Sequence, residues 1–191
     1  MNRLTTLVVV AAFTAALATL ARADNGHDHD YDHDHAALRS DSPLVAKVYK
    51  AVKRFADINV ALGEGWVQGT PCVSGPDHGA MGVHFILKER VDKAILKAEY
   101  PEALIYEPLE NGSFRLVGVE FIILADVWQA NNPGAGPPAL DGNLLNYVGS
   151  PNRYGLPPFF EIHVWAFEHN PNGSFSDWNN RVTCEKQPVK Y

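Results

Sequence analysis

Four apolar runs in this chain each carry one ionisable residue, and that pattern constrains the fold more than any other feature. His84 stands between Val83 and Phe85, Glu107 closes Ile105-Tyr106-Glu107, Glu120 stands between Val119 and Phe121, and His163 stands between Ile162 and Val164. Runs of this kind read as buried strands, because β-branched and aromatic side chains suit a pleated, half-covered surface. An isolated charge buried in such a run costs on the order of several kcal/mol unless it is paired, hydrogen-bonded or metal-bound. Four strands doing the same thing predict a shared polar pocket inside an apolar cup. Imidazole and carboxylate are the ligands that Zn, Cu, Ni, Fe or Mn accept, so His84, Glu107, Glu120 and His163 are the candidate metal set. Alternation puts Glu161, His163 and Trp165 on one side of their strand and Ile162 and Val164 on the other. Gly82 and Gly118, two residues from His84 and Glu120, leave room beside them. The competing reading is metal-free, with Glu120 pairing to Arg115 or Arg153 and Glu107 marking the exit of its strand.

The elements around these runs predict an α+β fold, with a curved antiparallel sheet packed on an N-terminal amphipathic helix. Ser42 is an N-cap and Pro43 a first helical residue. Leu44, Val45, Val48, Val52, Phe55, Ile58 and Leu62 then recur at steps of three and four, which predicts one helix of about twenty residues ending at Gly63 or Gly65. Further strands are expected over 82–87, 103–107, 114–124 and 159–167, with a helix over 88–98. Asn111-Gly112 and Asn172-Gly173 are turn signals. Residues 131–158 are rich in Pro and Gly, and so long an irregular loop is unusual unless it covers or binds something. A small antiparallel barrel is the alternative architecture.

The N-terminus points outside the cytoplasm. A short basic start, an apolar run from Leu4 to Leu20 and Ala21-Arg22-Ala23 have the form of a signal peptide over 1–23. Residues 24–41 follow as a His/Asp-rich tail too polar to bury a core, expected to be disordered, before a single domain over 42–191. His27, His29, His33 and His35 alternate with aspartates there, a composition suited to capturing a divalent transition metal. In an exported chain the two cysteines, Cys72 and Cys184, predict a disulfide. The formal net charge of −6 offers no footprint for nucleic acid, and no later apolar run is long enough to span a bilayer. Arg153, in the Pro-flanked turn 150–157, is a candidate clamp for a ligand carboxylate, and Trp165 a candidate ligand-binding aromatic.

Several short motifs carry a likeness: DINVAL (57–62), EGWVQG (64–69), PCVSGP (71–76), GAMGVHF (79–85), YEPL (106–109), GVEF (118–121), SPNRYGLP (150–157), HVWA (163–166) and NPNG (170–173). Together they resemble a family of uncharacterised exported bacterial proteins over roughly residues 55–184. The resemblance implies a bacterial, extracytoplasmic, single-domain protein and no particular chemistry. Together these observations lead to the expectation of a periplasmic or secreted metal-binding protein. A metal-free module holding a small organic ligand with Trp66, Trp128 and Trp165, or a structural envelope protein, is the alternative.

Overall fold

The structure is a computed structural model that describes residues 42–75 and 77–187. The signal-like segment, the tail with His27, His29, His33 and His35, and the last four residues lie outside the described part. Ten residues, Pro43–Val52, form α1. Its first turn is closed as the sequence suggests, with Ser42 Oγ accepting from the Leu44 N–H and Pro43 needing no partner. The predicted twenty-residue helix is broken. A 3₁₀ turn covers Lys53–Ala56, and Asp57 leaves helical geometry to cap a second helix, α2 (Ile58–Gly63), by accepting from the Asn59 N–H. The apolar period runs through the break, so periodicity alone cannot see it. Asp57 could have signalled it, because a short acidic side chain competes for backbone N–H groups.

Three strands follow: β1 (Val67–Gln68), β2 (Val73–Gly75) and β3 (Gly79–Ile86). Helix α3 spans only Lys88–Lys93 and stops at Ala94, which adopts the left-handed conformation. Strands β4 (Ala103–Pro108) and β5 (Phe114–Leu124) form a hairpin around Asn111-Gly112. After α4 (Ala125–Asn131), the Pro/Gly-rich stretch contains a small β6–β7 hairpin (Ala139–Leu140 and Asn143–Leu144) and an edge strand β8 (Asn146–Val148). Strand β9 is Phe159–Val164, shorter than expected.

All pairings are antiparallel, in the order β1-β3-β4-β5-β9-β8, with β2 also on the outer side of β3. The sheet is therefore open and edged, and the barrel alternative does not form. One sheet face carries Val83, Phe85, Leu104, Tyr106, Val119, Phe121, Ile162 and Val164, and packs on Leu44, Val45, Val48, Val52 and Phe55 from the helical segment. Tyr106 anchors this layer by donating its hydroxyl to the Phe55 carbonyl at 2.8 Å. On the opposite face two smaller apolar clusters form. One is Ala80, Ile105, Val117, Trp165 and Val182; the other is Ala103, Ile122 and Phe159. The segment after β9 covers part of this second face, held by Ser174 and Ser176 carbonyls accepting from the Trp165 backbone and indole N–H groups. The Cys72–Cys184 disulfide ties that segment to the β1–β2 region.

Candidate metal centre

The register of the second face assembles the site. Ala103 of β4 lies opposite Glu120 of β5, which lies opposite His163 of β9. His84 of β3 lies opposite Ile105 of the same β4 face. The alternation of each strand therefore turns His84, Glu120 and His163 to the same side of the sheet. Small Ala103 between β3 and β5 leaves the imidazole and the carboxylate free to approach across β4. All three residues are buried. The two Nε2 atoms are 3.5 Å apart, and His84 Nε2 is 3.4 Å from Glu120 Oε2. One ligand atom from each residue lies within 4.8 Å of the other two. An ion held about 2.0–2.1 Å from each ligand atom in tetrahedral geometry sets them roughly 3.4 Å apart, so the two short edges already fit.

The far side of each ring is held. His163 Nδ1 meets Glu161 Oε2 at 2.9 Å, with Asp177 Oδ1 at 3.9 Å. His84 Nδ1 meets Thr70 Oγ1 at 3.1 Å, and the same hydroxyl accepts from the His84 backbone N–H. Asn146 of β8 donates to Glu161 Oε1 and to Asp177 Oδ1. With Nδ1 the protonated nitrogen on both rings, both Nε2 lone pairs face each other and a carboxylate oxygen. Three such atoms repel unless a metal ion, or a proton on one of the rings, lies among them. A histidine that ligates a metal usually gives its other ring N–H to a carboxylate or similar acceptor, which is the arrangement at His163.

The charge balance points the same way. Glu120, Glu161 and Asp177 cluster here, and among the described residues no Lys or Arg forms an ion pair with any of them. Burial pushes Glu120 up to about 7, helped by Glu161 and Asp177 and opposed by His163. Burial lowers His84 to about 3, with His163 adding to the effect. Burial also acts to lower His163, but Glu120, Glu161 and Asp177 outweigh it and raise the ring to about 9. One neutral imidazole, one cationic imidazole and an excess of carboxylate are what the site holds when only protons are available.

Glu107 does not join the other three. It shares their face but sits beyond Ile105, at the far end of β4, past a register shift that adds one residue to β5. There its carboxylate takes Arg115 at 2.6 Å and the Thr183 N–H at 2.9 Å, so it anchors the covering segment. Arg115 also reaches Glu168 and is not available to Glu120. Trp165 is buried with its indole N–H used by Ser176, and it stacks near His163 without lining a cavity that reaches the site. Trp66 and Trp128 belong to the helix-side core, so the three tryptophans do not surround one ligand. The glycines do not leave empty space. A Cβ on Gly82 would meet the Tyr106 carbonyl at 2.7 Å, and one on Gly118 would meet the Val164 carbonyl at 2.8 Å, so both serve close strand approach. His78 and His169 are exposed, and Glu64 pairs with Arg54.

Thr70 and Asp177 were not legible as site residues, because each lies in an irregular segment with no period to place it. Glu161 was legible only in facing the same way as His163. Glu102 was missed entirely. It is buried just before β4, accepts from the Ile122 N–H at 3.0 Å, and is raised to about 8, chiefly by burial.

Among the described residues, two of the clefts reach the centre. One of about 240 Å³ is walled by Glu120, Glu161, His163, Asp177, Arg153 and Trp178 among others. The second, about 540 Å³, runs past His84, Thr70, Cys72, Ile86, Ile122 and Leu156. Glu120, Arg153, Tyr154 and Phe159 line both. No helix among the described residues is long and apolar enough to cross a membrane. In comparisons with known proteins, the chain matches no family model, no curated protein and no solved structure.

Proposed function

We propose that this chain is an exported metal-binding protein, periplasmic or secreted, whose sheet face holds one divalent transition-metal ion on His84, Glu120 and His163. The reading is carried by the convergence of two imidazole Nε2 atoms and a carboxylate oxygen at 3.5 and 3.4 Å in a buried, carboxylate-rich site. Two histidines and one carboxylate suit Zn or Fe most directly, and also Mn, Cu or Ni. Three protein ligands leave coordination positions free, and the clefts at Glu120 reach them, unlike a closed four-ligand structural site. When bound, such an ion supplies Lewis acidity to whatever occupies those positions. The disulfide is the kind of bond that persists in oxidising compartments, which supports export. The tail histidines His27, His29, His33 and His35 act as a weaker capture segment feeding the same ion.

Elemental analysis of the purified full chain tests this. The quadruple variant of the tail histidines to Ala keeps a tightly held ion after dialysis. The pair His84→Ala with His163→Ala loses it and keeps only exchangeable tail metal. A quadruple variant that emerges metal-free after reconstitution, or a double variant that retains as much tight metal as the parent, sinks the reading. The second of these results favours a purely tail-based metal protein. The first favours a buried proton-sharing network, for which His163 raised to about 9 beside Glu120 is the supporting observation.

A further inference from the structure

We infer that the two clefts form a binding site for a small carboxylic acid with an apolar body, its head group gripped by Arg153 and its body lying over the metal centre. This rests on the metal reading above for what lies beneath the ligand, but its own residues are different ones. Arg153 is exposed and sits close to a cluster of three acidic side chains, yet among the described residues it makes no ion pair. Its guanidinium lies over the Trp178 ring, 5.4 Å from the centroid. That cation–π contact tethers the group at the cleft mouth and leaves its N–H fork available for a planar two-oxygen partner.

The turn that carries Arg153 is built to hold it still. Asn152 donates to the Gly149 and Leu156 carbonyls, both at 2.9 Å, and accepts from the Tyr154 and Leu156 N–H groups at 3.1 and 3.2 Å. Tyr154 then pins the turn to the sheet, with its hydroxyl 3.4 Å from Met81 Sδ and its ring against Phe159.

The shape of the clefts sets the rest of the ligand. Arg153 borders both, so a bound head group has access to either. The smaller cleft is walled by Glu161 and Asp177, which repel a second anion. The larger one, about 540 Å³, presents Pro71, Val73, Ile86, Ile122, Leu156 and Phe159. That volume lies within the range of small-molecule sites, and such a wall favours an aliphatic or aromatic body. His84 and Glu120 line the same cleft. A monocarboxylate with a short hydrocarbon body satisfies all three features; a dicarboxylate meets the repulsion of Glu161 and Asp177, and a neutral sugar has neither the head group nor the apolar body.

The test uses the full chain loaded with cobalt(II), whose visible spectrum reports on its coordination, titrated with hexanoate, acetate and hexan-1-ol by calorimetry. Hexanoate is expected to bind about tenfold or more tighter than acetate, which lacks the body, and than hexan-1-ol, which lacks the charge. It should also perturb the cobalt spectrum. Arg153→Gln should weaken hexanoate about tenfold and leave hexan-1-ol unchanged, and Arg153→Lys should recover only part of the loss, because a point charge cannot form the fork. Equal binding of hexanoate and acetate, or hexanoate binding indifferent to Arg153→Gln, overturns the proposal. Should cobalt fail to load, the metal reading is judged by the elemental analysis above and not by this titration. The same titration on the metal-free protein then decides the acid site alone: hexanoate binding that depends on Arg153 upholds it, and its absence overturns it.

Discussion

The two faces of the sheet are made by the same strands and obey opposite rules. Toward α1 and the 3₁₀ turn, β3, β4, β5 and β9 present large apolar side chains, and the Tyr106 hydroxyl among them has a partner. On the other side the same strands present His84, Glu120, Glu161 and His163 between two small apolar clusters. The helix face can be filled by any close-packed set of the right volume. The second face works only if each polar atom meets its particular partner. Burial is equally complete on both, so burial alone does not distinguish a core from a site; the identity of the contacts does.

Truncating the helix face is the hardest way to break this comparison. Phe121→Ala removes a fully buried ring next to Val119 and should destabilise by about 3–5 kcal/mol in chemical denaturation. Metal content per folded molecule should not change, although residue 120 is the neighbouring position. If Phe121→Ala loses metal in proportion to stability, the two faces are not independent and the comparison fails.

The next effect should carry the opposite sign. Glu102 is buried just before β4, its carboxyl raised to about 8 in the folded protein against an ordinary value near 4.5. Between those values the unfolded chain releases a proton that the folded protein keeps. Its contribution to stability is therefore fully present below about pH 4.5 and is lost as pH rises toward 8. Glu102→Gln keeps an oxygen for the Ile122 N–H and removes the titration. The variant should match the parent near pH 4.5 and exceed it by roughly 2–3 kcal/mol at pH 8, measured by denaturant midpoints across that range. A variant that tracks the parent at every pH shows that Glu102 does not hold its proton.

How far each face could be read from the chain follows the same division. Strands β4 and β5 fall almost where the apolar runs put them, because a run with few polar positions has one sensible burial. The pairing of Cys72 with Cys184 was legible from their number. The break at Asp57, the short α3 and the strands hidden among prolines were not, since each depends on local capping or on an edge that only the folded sheet supplies. The site was half legible. His84, Glu120 and His163 stood out as ionisable residues in greasy surroundings, and so did Glu107, which closes β4 beyond Ile105, away from the other three. The partners that orient the rings lie in loops, where nothing repeats.

Those partners give the smallest and most discriminating test. Glu161→Gln keeps the shape but weakens the acceptor at His163 Nδ1. Replacing such a group typically lowers metal affinity by about 10–100-fold. Thr70→Val removes the oxygen beside His84 Nδ1 and leaves the His84 backbone N–H without its acceptor. That change should weaken the metal by about tenfold, toward the lower end of the same range, and Thr70→Ser should restore it because only the oxygen matters. Competition with a chelator of known affinity reads both. A structural role for Thr70 would lower stability equally in apo and metal-loaded protein and leave the affinity alone. A positioning role moves the affinity as well, beyond the loss of apo stability that the unpaired His84 N–H causes by itself. If neither Glu161→Gln nor Thr70→Val shifts the chelator competition, the two rings are held by packing alone, and the second face follows the same rule as the first.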